Sequence, residues 1–259
     1  MQKVRQRIRQ FDKFFLFSMV SKLKKLTSVW ILKKSTSRKF SASFTIHTDL
    51  NSELSTLCDL FGSDKGSNFP DGHPFPWKPH LYADFYQLLL SSRRLNIHSV
   101  FECGIGSSDL SISANMGAEA KAGASLRVWR EFFPNACIYG GDIDEKVIFQ
   151  EERIVTFCLD QTDPNSISEV FADFDEKSFD LIIDDGLHTY DAGLTLFLNI
   201  NHTLADDGYY IIEDVTPRSM RKFIKKFKSF SDYCIKPIVF HEKDNFQELN
   251  SLLLITRKH

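Results

Sequence analysis

Two hydrophobic rhythms divide the chain. Before residue 97 the apolar positions fall at helical spacing: in "TDLNSELSTLCDLFG", Leu50, Leu54, Leu57, Leu60 and Phe61 recur every three or four residues and Gly62 supplies a stop. Glycine and proline in "SDKGSNFPDGHPFPWKP" then break the pattern, and "HLYADFYQLLLSSRRL" takes it up again. Residues 46–96 therefore read as a helical cap. From residue 98 the rhythm changes to short apolar runs alternating with helix-length stretches. Strands are expected at 98–103, 137–142, 153–159, 179–184, 208–214, 234–240 and 251–256, and helices over 125–133, 144–150, 164–173, 189–204 and 216–229.

Near-continuous apolar strands separated by helices need cover on both faces. The expected fold is α/β, a Rossmann-like doubly wound sheet of seven strands, mostly parallel. The last two strands lack a full intervening helix, which implies a hairpin with an antiparallel strand near the C-terminus. Three parts follow: a tail over 1–45, the cap over 46–96 and the sheet domain over 97–259.

Composition fits a sizeable core, with 259 residues, 42% of them hydrophobic and 24 of them phenylalanine. Charge changes the picture more. The net charge of -2 hides an asymmetry, because residues 1–40 hold 12 of the 32 Lys and Arg but one of the 34 Asp and Glu. This basic tail has no apolar stretch near the roughly 20 residues that cross a bilayer. A signal peptide fits poorly, since the run from Phe14 to Val20 is short and no small-x-small site follows. The tail reads as a solvated or locally helical extension, with a helix lying on an anionic membrane surface and a targeting sequence as alternatives. Five cysteines, none in a C-x-x-C pair and all but Cys58 in apolar strand-like runs, read as buried thiols of a reducing compartment. The expected location is cytoplasmic, with membrane contact only through residues 1–40.

Ligands of a doubly wound sheet bind beyond the carboxyl ends of its strands, where the strand order reverses. Polar clusters follow five expected strands: "FECGIGSSD", "GGDID", "CLDQTD", "IDDGLH" and "IIEDV". Gly104 and Gly106, after Glu102, would let a backbone turn approach a ligand closely. A nicotinamide-binding G-x-G-x-x-G is not met, because Asp109 stands at the third glycine and "SSDLSISANMGAEAKAGA" precedes the next helix. Asp142 is placed to accept hydrogen bonds from two ribose hydroxyls, or to cap a helix, for which Asp144 is better placed. Asp160 and Gln161 either read an adenine amino group or form a solvated turn.

The densest cluster joins two strands expected to be neighbours. Asp184, Asp185, His188, Glu213 and Asp214 would set three or four carboxylates around one imidazole, a repulsive group unless a cation joins it. Oxygen ligands suit Mg²⁺, which lowers the pKa of a bound hydroxyl while a nearby histidine takes the proton. The competing reading makes Asp184 and Glu213 caps or ion-pair partners of Arg218 and Arg221. Lys65 and His80 are candidate acceptor or cofactor contacts, or simply a surface loop and a helix start.

In order and spacing, "FECGIG", "GASLRVWREFFPNACIYGGDID", "ERIVTFCLDQTDP", "FDLIIDDGLH" and "DGYYIIEDV", with "GSDKG" upstream, resemble class I S-adenosylmethionine-dependent methyltransferases. Within these the chain is similar to the magnesium-dependent macrolide-sugar O-methyltransferases of the mycinamicin and demethylmacrocin type, over residues 58–259. The resemblance implies a cofactor site of Glu102, Gly104, Gly106, Ser125, Asp142, Asp160 and Gln161, with Asp184 in support. It implies metal ligands Asp185, Glu213 and Asp214, and a catalytic pair of His188, as base, and Asp185. Two departures stand out. A short helical cap behind the basic tail is expected in place of the larger N-terminal substrate and assembly region of those enzymes, and the loop from Ser107 to Ala124 is longer, long enough for a lid.

The expectation is an S-adenosylmethionine-dependent O-methyltransferase using Mg²⁺ on a hydroxyl of a sugar, a glycosylated small molecule or a glycan. Its rivals are a metal-independent methyltransferase and a catalytically inactive cofactor-binding scaffold. Nucleic acid is not an expected partner, because the body is acidic and "DDGLH" replaces the N/D-P-P-Y/F turn of amino-group methylation.

Overall fold

The computed structural model describes residues 52–68, 71–176, 178–240 and 251–258. The basic tail, and every expectation about it, lies outside the described residues. Among these residues the helices are α1 (Glu53–Phe61), α2 (Tyr82–Leu90), α3 (Ala124–Phe132), α4 (Pro164–Phe171), α5 (Tyr190–Ile200) and α6 (Pro217–Phe227). The strands are β1 (Ser99–Cys103), β2 (Cys137–Asp142), β3 (Gln150–Glu151), β4 (Ile154–Cys158), β5 (Phe179–Asp184), β6 (Leu204–Ile212), β7 (Tyr233–Val239) and β8 (Ser251–Arg257).

Local chemistry sets the helix ends. Side chains of Ser52, Asp163, Thr189 and Thr216 accept from backbone N–H groups in the first turns of α1, α4, α5 and α6. Proline follows the cap at the start of α4 and α6, where its missing N–H costs nothing. Gly62, at φ 79°, ends α1 as the sequence suggests.

The strands form one sheet in the order β3-β4-β2-β1-β5-β6-β8-β7. Its centre, β4-β2-β1-β5-β6, is parallel throughout, and β8 runs antiparallel to both β6 and β7. The seven expected strands, their winding and the antiparallel C-terminal pair are all present. An eighth, β3, was not expected. The helix expected over 144–150 is a single 3-10 turn, Glu145–Val147, because the chain then extends into β3 against β4. The Thr156 hydroxyl fixes that extension: it accepts from Phe149 N at 2.6 Å and donates to Phe149 O. The helix expected over 189–204 ends at Ile200, and β6 starts at Leu204, earlier than expected. The cysteines also depart from expectation. Cys103 is buried, but Cys137 and Cys158 are exposed at strand ends, and Cys234 is half-buried.

Alternation along the strands divides the core between two faces. Val100, Leu181, Ile183 and Ile211 pack with Leu54, Tyr82, Tyr86, Trp129 and Phe132, so α1, α2 and α3 cover one face. On the other, Phe101 meets Phe171 of α4 at 4.9 Å between ring centres and Phe179 at 5.8 Å. There Phe197 of α5 also touches the rings of Tyr210, Phe227 and Tyr233, tying α5 to β6, α6 and β7.

Phe197→Ala should lower the stability to urea denaturation by about 3–5 kcal/mol, the cost of emptying a closed aromatic site. A loss under about 1 kcal/mol would show that other contacts hold α5 in place.

Candidate active site

Strand register brings three turns level. Cys103 pairs with Gly141 on one side and Asp184 on the other, and Asp184 pairs with Ile212. Beyond the last pairs, Asp185 N donates to Cys103 O at 2.8 Å and Glu213 N to Asp184 O at 2.9 Å. The residues after β1, β5 and β6 therefore lie side by side, where the strand order reverses around β1. Space is tight: a Cβ on Gly104, at φ 86°, would lie 2.2 Å from Asp185 O. Only glycine fits there. His188 at φ 55° and Asp214 at φ 51° adopt left-handed backbone without being glycine, strain of the kind that concentrates at functional sites.

Asp142 organises the turn after β1. Its Oδ2 accepts from Ile105 N at 2.9 Å and its Oδ1 from Asp144 N at 3.0 Å. A carboxylate has about four acceptor sites, so two remain for a ligand. Asp144 takes the capping role, accepting from Lys146 N at 3.0 Å and from Ser107 Oγ at 2.5 Å. The long loop folds back here, with Met116 N donating to Ser107 O and Gly123 N to Ile105 O.

The other residues expected to bind cofactor divide. Glu102 is fully buried; its Oε2 accepts from Trp129 Nε1 at 2.7 Å, and its Oε1 lies 3.3 Å from Lys65 Nζ. Ser125, in the first turn of α3, is a further hydrogen-bonding neighbour of Glu102. Gln161 turns inward, donating to Asp184 Oδ1 at 2.9 Å and accepting from Leu187 N at 2.6 Å. Asp160 accepts from Thr162 N and its hydroxyl, the geometry of the solvated turn. Burial pushes the Asp184 carboxyl up to about 6, against the hydrogen bond from Gln161.

The acidic cluster is arranged around two cations from the helical cap. Lys65 Nζ lies 2.5 Å from Asp185 Oδ2 and 2.7 Å from Glu213 Oε2, with Glu102 as its third carboxylate. Glu213 Oε1 accepts from Tyr86 OH at 2.6 Å. His80 Nδ1 stands 3.3 Å from Asp214 Oδ1, which also accepts from Tyr82 OH at 2.5 Å. Neither Arg218 nor Arg221 pairs with Asp184 or Glu213 among the described residues. Asp185, His188 and Asp214 come together: each can offer one ligand atom within 4.8 Å of the others. The two carboxylates, partly exposed, fit a hard divalent cation that keeps some of its water, with the His188 imidazole beside it. Glu213, expected among the ligands, faces Lys65 instead.

Burial sets the pKa directions and the two cations modify them. It raises Glu102, Asp185 and Glu213, with Lys65 opposing in each case. Burial would lower Lys65, but Asp185, Glu213 and Glu102 hold it well above its ordinary value. At His80 burial is likewise overcome, by the hydrogen bond to Asp214 and the charge of Asp64, which push it up to about 9. Burial would raise Asp214, yet His80, His188 and Tyr82 together hold it below the usual carboxylate range.

Tyr82, Tyr86 and Trp129 were not singled out from the sequence. Each sits on a helix face that reads as core, and only the hydroxyl or indole N–H reaches the acids. Lys65 and His80 were singled out by residue type, without their partners.

No protein-family model matches the chain. Among curated proteins it is similar to 8-demethyl-8-alpha-L-rhamnosyl tetracenomycin-C 2'-O-methyltransferase of Streptomyces olivaceus, 31% identical over 162 residues, or 62% of this chain and 37% of that protein. It is also similar to demethylmacrocin O-methyltransferase of Streptomyces fradiae, 40% identical over 93 residues, or 36% of this chain and 23% of that protein. Among solved structures, the MycE methyltransferase of the mycinamycin biosynthetic pathway, in complex with Mg, SAH and mycinamycin VI, aligns with TM-score 0.58 and 22% identity over 79% of this chain and 54% of that chain. The resemblance read from the sequence is borne out in these relatives, and the likeness to MycE shows the fold. The chain spans 37% or less of the length of these two curated relatives.

The raised His80 gives stability a pH signature. A histidine at about 9 when folded and near 6.5 when unfolded stabilises fully below pH 6.5 and loses that contribution as pH rises through 9, about 3 kcal/mol in all. Urea denaturation in EDTA should show this decline in the wild type and a flatter profile in His80→Gln. Identical slopes in the two proteins would show that His80 is not charged in the fold.

Proposed function

We propose that the chain is an S-adenosylmethionine-dependent O-methyltransferase whose acceptor is a hydroxyl of a sugar or glycosylated molecule and whose reaction is assisted by Mg²⁺. The observation that carries this reading is the meeting of Asp185, His188 and Asp214 within 4.8 Å, next to the turn whose Gly104 packs against the Asp185 backbone. Relatives named as O-methyltransferases of a rhamnosyl tetracenomycin and of demethylmacrocin favour a glycosylated acceptor.

Bound S-adenosylmethionine supplies a methyl group activated by a sulfonium, and Mg²⁺ supplies a Lewis acid that acidifies the acceptor hydroxyl. The protein's own residues do the rest. Asp142 offers the ribose the acceptor sites that its two backbone N–H partners leave open. Gly104 and Gly106 keep side chains out of the turn beneath the donor. Ser125, in the first turn of α3, stands where a helix N-terminus attracts a carboxylate. Asp185 and Asp214 hold the cation, two carboxylates being the usual protein share for an ion that also binds water and substrate oxygens. His188 takes the hydroxyl proton. Its Nε2 lies 3.9 Å from Asp214 Oδ2, which sets a carboxylate charge beside the ring. Since the donor is already activated, alignment of hydroxyl and methyl supplies much of the rate.

The test is transfer of labelled methyl from S-adenosylmethionine to a panel of rhamnosides and other glycosides, after EDTA treatment and after Mg²⁺ is restored. Activity should require the metal. His188→Ala should lower the rate by about 10²–10⁴-fold while S-adenosylhomocysteine binding is retained. Full activity in EDTA rejects the metal, and full activity of the variant rejects the base.

A further inference from the structure

We infer that the exposed face of α6 is a docking surface for an anionic lipid bilayer. The inference needs only this surface and stands apart from the methyl-transfer reading.

α6 has two faces of opposite chemistry. Met220, Phe223 and Phe227 are buried, and Phe223 and Phe227 meet Tyr190 and Phe197 of α5 at 4.9 and 4.8 Å between ring centres. The other face carries Arg218, Arg221, Lys222 and Lys225, continued by Lys228 at the cap, and all five are exposed. Their spacing of three and four residues sets them in one stripe, about 15 Å long at the helical rise per residue. The helix has no Asp or Glu, and α5 beside it has Asp191 as its one acid.

A face that is merely solvated mixes its charges, and this chain does so elsewhere. Arg93, Arg94, Arg127, Arg130, Lys146 and Arg257 each pair with a carboxylate, at 2.5 to 3.9 Å. Among the described residues no cation of the stripe makes such a pair. Like charges three and four positions apart on a helix repel, and Arg218 in the first turn opposes the helix dipole. The helix thus keeps an unfavourable array at the surface, and a negatively charged partner relieves it.

Shape and charge define that partner. The apolar face of α6 is occupied by the core, so the helix cannot enter hydrocarbon and adheres through its cations, as polybasic segments do on anionic headgroups. A nucleic acid is less well matched, because the rings beside the stripe are taken up by ammonium groups rather than left for stacking bases: Lys222 lies 4.7 Å from the centre of Tyr190 and Lys226 5.3 Å from that of Phe230. Residues 41–259 hold 20 Lys and Arg against 33 Asp and Glu, so an anionic leaflet repels the body as a whole and turns α6 towards itself. The 12 Lys and Arg of residues 1–40 add cations to the same chain, and weak contacts on one chain reinforce each other. Arg218 follows Asp214 by four residues, so docking along the stripe brings the rim of the site close to molecules held in the leaflet.

Binding of the full chain to vesicles should be titrated at low salt, without cofactor or metal, with phosphatidylcholine alone and with phosphatidylcholine mixed with phosphatidylserine. The wild type should bind the mixed vesicles and not the neutral ones, and should be released near 1 M salt, where the screening length falls to about 3 Å. Each cation near an anionic leaflet is worth about a fivefold gain in affinity, so the combined variant Arg221→Gln, Lys225→Gln, Lys228→Gln should bind about 100-fold more weakly. Lys225→Arg with Lys228→Arg keeps the charge and should bind as the wild type does. If the triple variant does not fold, Lys225→Glu decides, with an expected loss of about tenfold or more. No binding to mixed vesicles, equal binding to neutral ones, or a loss under about threefold in the deciding variant overturns the inference. Single-stranded RNA that binds more tightly than the vesicles, and is lost with the same three cations, also overturns it and makes the partner a nucleic acid.

Discussion

Two buried carboxylates, Glu102 and Glu213, and a partly exposed third, Asp185, share one ammonium at the ends of β1, β6 and β5, and the rest of the site depends on that sharing. Removing a charge from water costs several kcal/mol even after the protein relaxes, and one partner left alone in the interior costs about 3–5 kcal/mol. Glu102 and Glu213 are therefore tolerable at full burial only while Lys65 reaches them. The lysine comes from the loop between α1 and α2. The cap helices consequently do more than cover a sheet face, because they deliver the cations that let acidic strand ends sit close together.

A second pairing works at the outer edge of the same cluster. His80 and Tyr82 fix Asp214 from one side, and His188 lies against its other oxygen. Asp214 and His188 both sit in left-handed backbone, strain that persists only where the surrounding structure holds it. Packing of α2 against the sheet, through Tyr82 and Tyr86, holds those turns in place. Each tyrosine thus serves the core with its ring and the site with its hydroxyl.

Much of the architecture could be read from the chain because its signals are local. Apolar runs such as "FDLIID" have one stable use, a strand covered on both faces, and caps such as Asp163-Pro164 and Thr216-Pro217 mark where helices begin. What could not be read depended on contacts distant in sequence. The segment after Asp144 carries helix-compatible residues, and contacts to β4, the Thr156 hydroxyl among them, hold it as β3. Similarly, the acids of the site were legible as strand-end residues, whereas the sharing of Lys65 among three of them was not. Two of the partners of Lys65, Asp185 and Glu213, lie 120 and 148 positions away. Gln161 shows the same limit, since nothing local says that its amide turns inward to Asp184.

The two margins of the sheet bear on how copies of the chain can meet. At one end β3 is two residues long, too short to template another strand. At the other, β7 carries Pro237 and an exposed Lys236 along its length, one without an amide hydrogen and the other charged. Among the described residues both margins are thereby blunted against edge-to-edge growth, so self-association by sheet extension is disfavoured there.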